Sequence, residues 1–147
     1  MRKRVGDLMT PVVAVLAVGD TLAAAREQLE RGHIRHLPVV DGDNRLVGLV
    51  THRNILAAWM SHGRPDRELP AVVAGEVPVE MVMERDVLTV DEETSAARAA
   101  ELLELYKFGC LPVVDSQHRL VGIITEADFV RFARAFFDWD ARSTNAA

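Results

Sequence analysis

Apolar and polar positions alternate in blocks along this chain, and the same block order occurs twice. From Leu37 to Thr51 the chain reads LPVVDGDNRLVGLVT, and from Leu111 to Thr125 it reads LPVVDSQHRLVGIIT. An apolar run, a polar turn and a second apolar run predict a β-hairpin, and near-continuous β-branched residues predict strands covered on both faces. Asp41-Gly42-Asp43-Asn44 supplies the turn residues of the first hairpin, and Pro38 and Pro112 are read at strand starts, where a missing N–H costs least. Thr51 and Thr125 end the return strands, and each can cap a helix beginning at His52 or Glu126. That helix carries Ile55, Leu56 and Trp59 in one copy, and Phe129, Val130, Ala133, Phe136 and Phe137 in the other. Upstream of each hairpin the period becomes helical. Leu22, Ala25 and Leu29 form one stripe, with a cap at Asp20 or Thr21 and an end at Gly32. Ala96, Ala99, Leu102 and Leu103 form the other, with a cap at Thr94 or Ser95, and it runs towards Tyr106 or Lys107. Short strands are expected near 12–15 and 87–90, each preceded by an apolar turn, Val5 to Met9 and Val79 to Met83.

The two copies align without a gap at an offset of 74 residues, and 18 of 52 pairs over residues 5–56 and 79–130 are identical. Duplication at this level predicts two units that each need the other to cover an apolar face. The expected fold is α/β (α+β): two β-α-β-β-α units packed sheet to sheet with pseudo-two-fold symmetry. The boundaries read 1–61 for the first unit, 62–78 for a linker punctuated by Gly63, Pro65, Pro70, Gly75 and Pro78, 79–141 for the second unit, and 142–147 for a disordered tail. Leu69 to Val73 can pack locally within the linker.

Composition narrows the function classes. The chain has 147 residues, 49% hydrophobic and 27% charged, with a net charge of -5. The first 74 residues carry 10 Lys/Arg against 8 Asp/Glu, and the remainder 7 against 14. Apart from Arg2-Lys3-Arg4 no basic stripe exists, which argues against a nucleic-acid partner. The single Cys110 forms no intramolecular disulfide, and no run is long and apolar enough to cross a bilayer, so the expected location is cytoplasmic with no membrane partner. The five histidines show no zinc-site spacing, and neither nucleophile-elbow, phosphate-loop nor dinucleotide glycine motifs occur, so no enzyme is expected.

The order L-M, then the helix, LPVVD and LVGLVT-x-x-N, followed by M, the helix, LPVVD and LVGIIT-x-x-D, resembles a tandem pair of CBS domains (a Bateman module) over residues 5–61 and 79–138. The resemblance implies an adenine-containing ligand, AMP, ADP, ATP or S-adenosylmethionine, with Mg2+ as a companion of the phosphates, in a cleft between the domains. It implies that Thr125 and Asp128 serve one site, with Thr10 to Val13, including Val12, enclosing the base. Thr51 and Asn54 would serve the other, with Glu84 to Leu88, including Val87, opposite. Basic residues before the L-P-V-V strand meet phosphate in some members; Arg35 and His36 stand there in the first copy. Gly109 and Cys110 stand there in the second, with Lys107 close by. The resemblance also implies a homodimer and a regulated partner protein.

The residues carry a physical reading of their own. Asp128 lies three positions after Thr125 in a first helical turn, and an ionised carboxylate there suits either a vicinal diol or the helix N-terminus itself. Asn54 has one acceptor oxygen and an NH2 donor, so it meets a diol without charge. Thr51 and Thr125 can be caps, ligand contacts or both. Gly48 and Gly122 fall inside strands, where close packing or close ligand approach explains a missing side chain. Met9 and Met83 read as packing, and Cys110 as a small core residue. Phe129, Phe132, Phe136 and Trp139 share one helix face, an expected dimer interface. Two functions remain: a regulatory adenine-nucleotide-binding module, and a structural or protein-interaction adaptor with degenerate clefts.

Overall fold

A computed structural model of the chain describes residues 2–11, 14–62 and 75–146. Val12, Val13 and the linker stretch 63–74, including Leu69 to Val73, lie outside the described residues, as does the side chain of Trp59. The elements are α1 (Val5–Leu8), β1 (Leu16–Ala17), α2 (Leu22–Gly32), β2 (His36–Val40), β3 (Leu46–Thr51), α3 (His52–His62), a 3-10 turn (Val79–Met81), α4 (Ala96–Tyr106), β4 (Cys110–Val114), β5 (Leu120–Thr125) and α5 (Glu126–Asn145).

The helices form where the period of three to four placed them. Leu22, Ala25 and Leu29 are the buried face of α2, and Ala96, Ala99, Leu102 and Leu103 that of α4. Thr21 and Ser95 are the caps, their hydroxyls accepting from Ala24 N at 3.2 Å and Arg98 N at 3.1 Å. Both helices end on a left-handed residue, His33 (φ 49°) and Lys107 (φ 54°), at equivalent positions of the repeat.

Each hairpin also has the expected pairing. β2 and β3 are antiparallel, with His36 opposite Thr51 and Val39 opposite Gly48, and β4 and β5 form a two-stranded sheet. The positive φ of the turns falls on Asn44 (61°) and His118 (63°) rather than on Gly42. Asp41 Oδ1 fastens the first turn by accepting from Asp43 N and Arg45 N. Pro38 is the third residue of β2, not the first. Parallel pairing of β1 with β2 begins only at Leu16 opposite Val39, so no ladder needs a proline N–H.

Three expectations are corrected. The strand placed near 12–15 is β1 at Leu16–Ala17, because the fully buried Leu16 is the residue that reaches the core while Val15 stays exposed. The strand placed near 87–90 is reduced to a single parallel bridge, Val90 to Val113, made by Val90 N to Pro112 O and Val114 N to Val90 O. The tail at 142–147 is helical to Asn145. Its last turn is held by backbone bonds and by Ser143 and Thr144 hydroxyls donating to the carbonyls of Trp139 and Asp140.

The chain packs as two units whose membership is not that of the repeats. One comprises Val13–Val87 with Gln117–Leu120, and the other Met1–Val12, Leu88–Ser116 and Val121–Ala147. The first core is built on Leu16, Leu22, Leu29, Leu37, Val50 and Ile55 and takes in Val79 and Met83 from the second repeat. The second is built on Val90, Leu103, Leu111, Val113 and Ile124 and takes in Val5, with Leu8 and Met9 packed against it. Each repeat therefore lends its leading apolar turn to the other repeat's unit. The contacts are the same on both sides: Val79 N donates to Asp20 O at 2.7 Å and Leu22 N to Val77 O at 2.9 Å, while Val5 N donates to Thr94 O and Ala96 N to Lys3 O, both at 2.8 Å. Leu56 and Val130 face solvent in their helices; in α3 the buried partner of Ile55 is Ala58.

Candidate functional site

Two strand-to-helix junctions carry the polar chemistry, one in each unit. In the 88–147 unit, β5 delivers Thr125 to the start of α5, and Asp128 in its first turn folds back on it. Asp128 Oδ2 accepts from Thr125 N at 2.8 Å and from its hydroxyl at 3.2 Å. Oδ1 accepts from the Thr10 hydroxyl at 2.8 Å and from Arg131 Nη1 at 2.9 Å. Asp128 is the one buried charged residue among the described residues, 3% exposed. Four donors fill the roughly four acceptor positions of a carboxylate, which is what permits its burial.

In the 13–87 unit, Thr51 and Asn54 repeat half of this arrangement. Asn54 Oδ1 accepts from Thr51 N at 2.8 Å and from its hydroxyl at 2.9 Å, and Thr51 Oγ1 accepts from Asn54 N at 3.1 Å. The amide oxygen is thereby committed to the cap, so the group that Asn54 has left to offer is its NH2. Both residues are half-buried. At the offset of 74, Glu84 stands where Thr10 does and Ala57 where Arg131 does.

The segments facing both junctions are tied on identically. Leu49 and Glu84 exchange two backbone hydrogen bonds of 2.9 Å, and Ile123 and Thr10 exchange two of the same length. These pairings explain Gly48 and Gly122. A methyl group on Gly48 would lie 2.4 Å from Met83 Sδ and 3.0 Å from Glu84 O, and one on Gly122 would lie 2.6 Å from Met9 Sδ and 3.1 Å from Thr10 O. Protein packing accounts for both glycines, and Met9 and Met83 are its cause.

Among the remaining expected residues, His36 is half-buried opposite Thr51, and exposed Arg35 accepts from His52 N at 3.3 Å through its carbonyl, so both stand at the Thr51 end of the β2–β3 hairpin. Lys107 is exposed and serves as the left-handed cap of α4. Val87 is half-buried and Leu88 is exposed. Cys110 is buried, and desolvation pushes its thiol from 9.0 up to about 12, so it stays protonated and unreactive. No cluster of metal-ligating side chains exists among the described residues, and none of their helices is long and apolar enough to cross a membrane. Arg131 was missed as a partner of Asp128, although its i+3 position on α5 is a readable signal.

Phe129 is half-buried and packs against the core of its own unit. Phe132, Phe136 and Trp139 form a continuous aromatic ladder, with centroids 6.5 and 6.4 Å apart, and Phe136 and Trp139 are exposed. A groove of about 720 Å3 in the same unit is bounded by Arg2, Lys3, Arg4 and Glu93 with Phe132 and Phe136; Thr10, Thr125 and Asp128 do not line it.

The profile of the CBS domain matches residues 5–61 and 75–135. The chain belongs to the CBS-domain family. As a CBS pair it is similar to an acetoin utilization protein (AcuB) of Vibrio cholerae, with 34% identity, a TM-score of 0.83 and coverage of 97% of this chain and 98% of that one. It is similar to CBSX2, solved in complex with AMP, with 31% identity, a TM-score of 0.78 and coverage of 91% and 98%. It is also similar to the CBS pair of MJ0100, solved with 5′-methylthioadenosine and S-adenosyl-L-methionine, with 26% identity, a TM-score of 0.75 and coverage of 92% and 98%. Two of these three similar proteins were thus solved with adenosine derivatives.

Proposed function

We propose that this CBS pair is a regulatory module that binds an adenosine-containing ligand, AMP, ADP, ATP or S-adenosylmethionine, and passes occupancy to a partner protein without catalysing a reaction, in the cytoplasm. The observation that carries this reading is Asp128, a buried carboxylate at a strand-to-helix junction. It has the chemistry to accept both hydroxyls of a ribose, and the first-turn N–H groups beside it suit a phosphate. Its acceptor positions are filled by the protein, so a diol enters by displacing the Thr10 hydroxyl or Arg131. The exposed Arg131 is the partner able to swing towards a phosphate or a Mg2+-bound phosphate instead.

Calorimetry with the four ligands, with and without Mg2+, tests the reading. At least one ligand should bind, and Asp128→Ala or the near-isosteric Asp128→Asn should weaken it several-fold. Failure of all four to bind the wild-type protein overturns it.

A second reading, an adaptor that works through its surface, is favoured by the exposed Phe136, Phe137 and Trp139 of α5. The occupant proposed is a second copy of the chain. Light scattering should give twice the chain mass for the wild type and a lower mass for Phe136→Glu. Equal masses in the two proteins remove this interface, and a wild type at the single-chain mass removes the homodimer.

A further inference from the structure

We infer that Glu84 is the ligand-binding carboxylate of the junction that lacks an aspartate, so that the two junctions carry the same acceptor on opposite strands. The inference rests on the adenosine-binding reading above and goes beyond it to the residue that accepts the ligand's hydroxyls at the Thr51–Asn54 junction.

The argument starts from the duplicated register. Thr10 and Glu84 are equivalent in sequence, and each exchanges a pair of backbone hydrogen bonds with the equivalent β-strand residue, Ile123 or Leu49. The preceding methionines contact Gly122 and Gly48 in the same way. Successive side chains alternate across an extended segment, so residues 10 and 84 project from the face opposite their methionines. The Thr10 hydroxyl proves where that direction leads, since it reaches Asp128 Oδ1 at 2.8 Å. By the same register the Glu84 side chain is assigned to the face of the Thr51–Asn54 junction.

Donor and acceptor are reversed between the two places. At Asp128 the helix supplies the acceptor and the added strand the donor. At Asn54 the oxygen is spent on Thr51, the group left to offer is an NH2 donor, and the added strand supplies the carboxylate. Asparagine in place of aspartate thus relocates the anionic acceptor from helix to strand. Two further differences fit a vacant acceptor. Glu84 is exposed, and no ion pair involves it among the described residues; Ala57 stands where the second junction has the arginine that occupies Asp128. Arg35 adds positive charge at the same strand end. A ligand with a ribose diol and an anionic group therefore finds its acceptor and its counter-charge on this one unit.

The test compares the Asp128→Asn protein with and without Glu84→Gln, titrated by calorimetry with AMP, 2′-deoxy-AMP and S-adenosylmethionine. Residual binding of AMP or S-adenosylmethionine is expected. With AMP a preference of roughly tenfold over the 2′-deoxy form is expected, the scale of one hydrogen bond to a charged group. Adding Glu84→Gln should weaken the residual binding by roughly tenfold and abolish the diol preference. Glu84 is exposed, and a melting curve confirms that the variant folds. Unchanged affinity and preference in Glu84→Gln overturn the inference. So does complete loss of binding in Asp128→Asn while the wild type still binds, which leaves the adenosine-binding reading intact. A wild-type protein that binds none of the ligands sinks that reading as well.

Discussion

The junctions at Thr51–Asn54 and Thr125–Asp128 share a backbone and differ in how their polar atoms are satisfied. Both use a threonine to end a strand and begin a helix, and both fold the residue three positions on back to that threonine. One places a neutral amide there, half-buried, and the other a carboxylate that is 3% exposed. A charge can be buried only when its partners come with it, and here they are Thr10 from the N-terminal segment and Arg131 one turn along α5. The amide needs no such escort, and its counterparts are Glu84 and Ala57. A single change of residue type thus propagates into two neighbouring positions, while the cap itself is preserved.

The widest gap between the junctions should appear on truncation. Asp128→Ala orphans the Thr125 N–H and the Thr10 hydroxyl and is expected to cost about 3 kcal/mol in urea unfolding, against about 1 kcal/mol for Asn54→Ala. Equal losses would mean that both residues act only as caps. Next come the glycines, which should behave alike because the added segments pack alike. Gly48→Ala and Gly122→Ala are each expected to lose about 2 kcal/mol through overpacking. Gly42→Ala, with nothing within 4 Å of its added methyl, should be neutral. A neutral Gly48→Ala would show that the Met83 segment does not sit on β3.

A third comparison uses equivalent strand positions, His36 and Cys110. The Cys110 thiol is raised to about 12 by burial, from 9.0. Above pH 9 the unfolded chain gives up this proton and the folded chain keeps it, so the unfolded state binds fewer protons and stability falls as pH rises from about 9 towards about 12. Below pH 9 both states hold the proton and the contribution is flat. Between pH 8 and pH 10 the wild type should lose about 1.4 kcal/mol more than Cys110→Ala. Parallel pH profiles would disprove this. The smallest effect is expected at the strand-borne partners. Thr10→Val removes one donor from a buried carboxylate and should cost about 1 kcal/mol, whereas Glu84→Gln should change stability by less than about 0.5 kcal/mol. A large loss in Glu84→Gln would indicate that its carboxylate is already paired.

Much of this was legible in the chain because it depends on neighbours in sequence. The stripes of α2 and α4, the caps Thr21 and Ser95, and the hairpins follow from periodicity and from short-range hydrogen bonds. Asp128 was legible as a first-turn acid. Its burial was not, since that depends on Thr10, 118 residues away. The short first strands were misplaced because a valine-rich run says where apolar residues are, not which of them pairs. The half-burial of Phe129 was not legible, because an aromatic row has the same spacing whether or not its first member turns inward. The helical end at 142–145 was obscured by Ser143 and Thr144, whose hydroxyls bond within the helix instead of breaking it.

By itself, the sequence determined the repeat, the hairpin and helix content and the residue types at both junctions, because each is encoded within a window of a few turns or a few strand residues. Only the tertiary structure decided that the leading turn of each repeat packs into the other repeat's unit, which sets Thr10 on Asp128 and brings Glu84 alongside β3. Apolar turns of four or five residues cannot bury themselves locally. Where they find cover is settled by which distant strand has a glycine's worth of room, Gly122 for the first turn and Gly48 for the second.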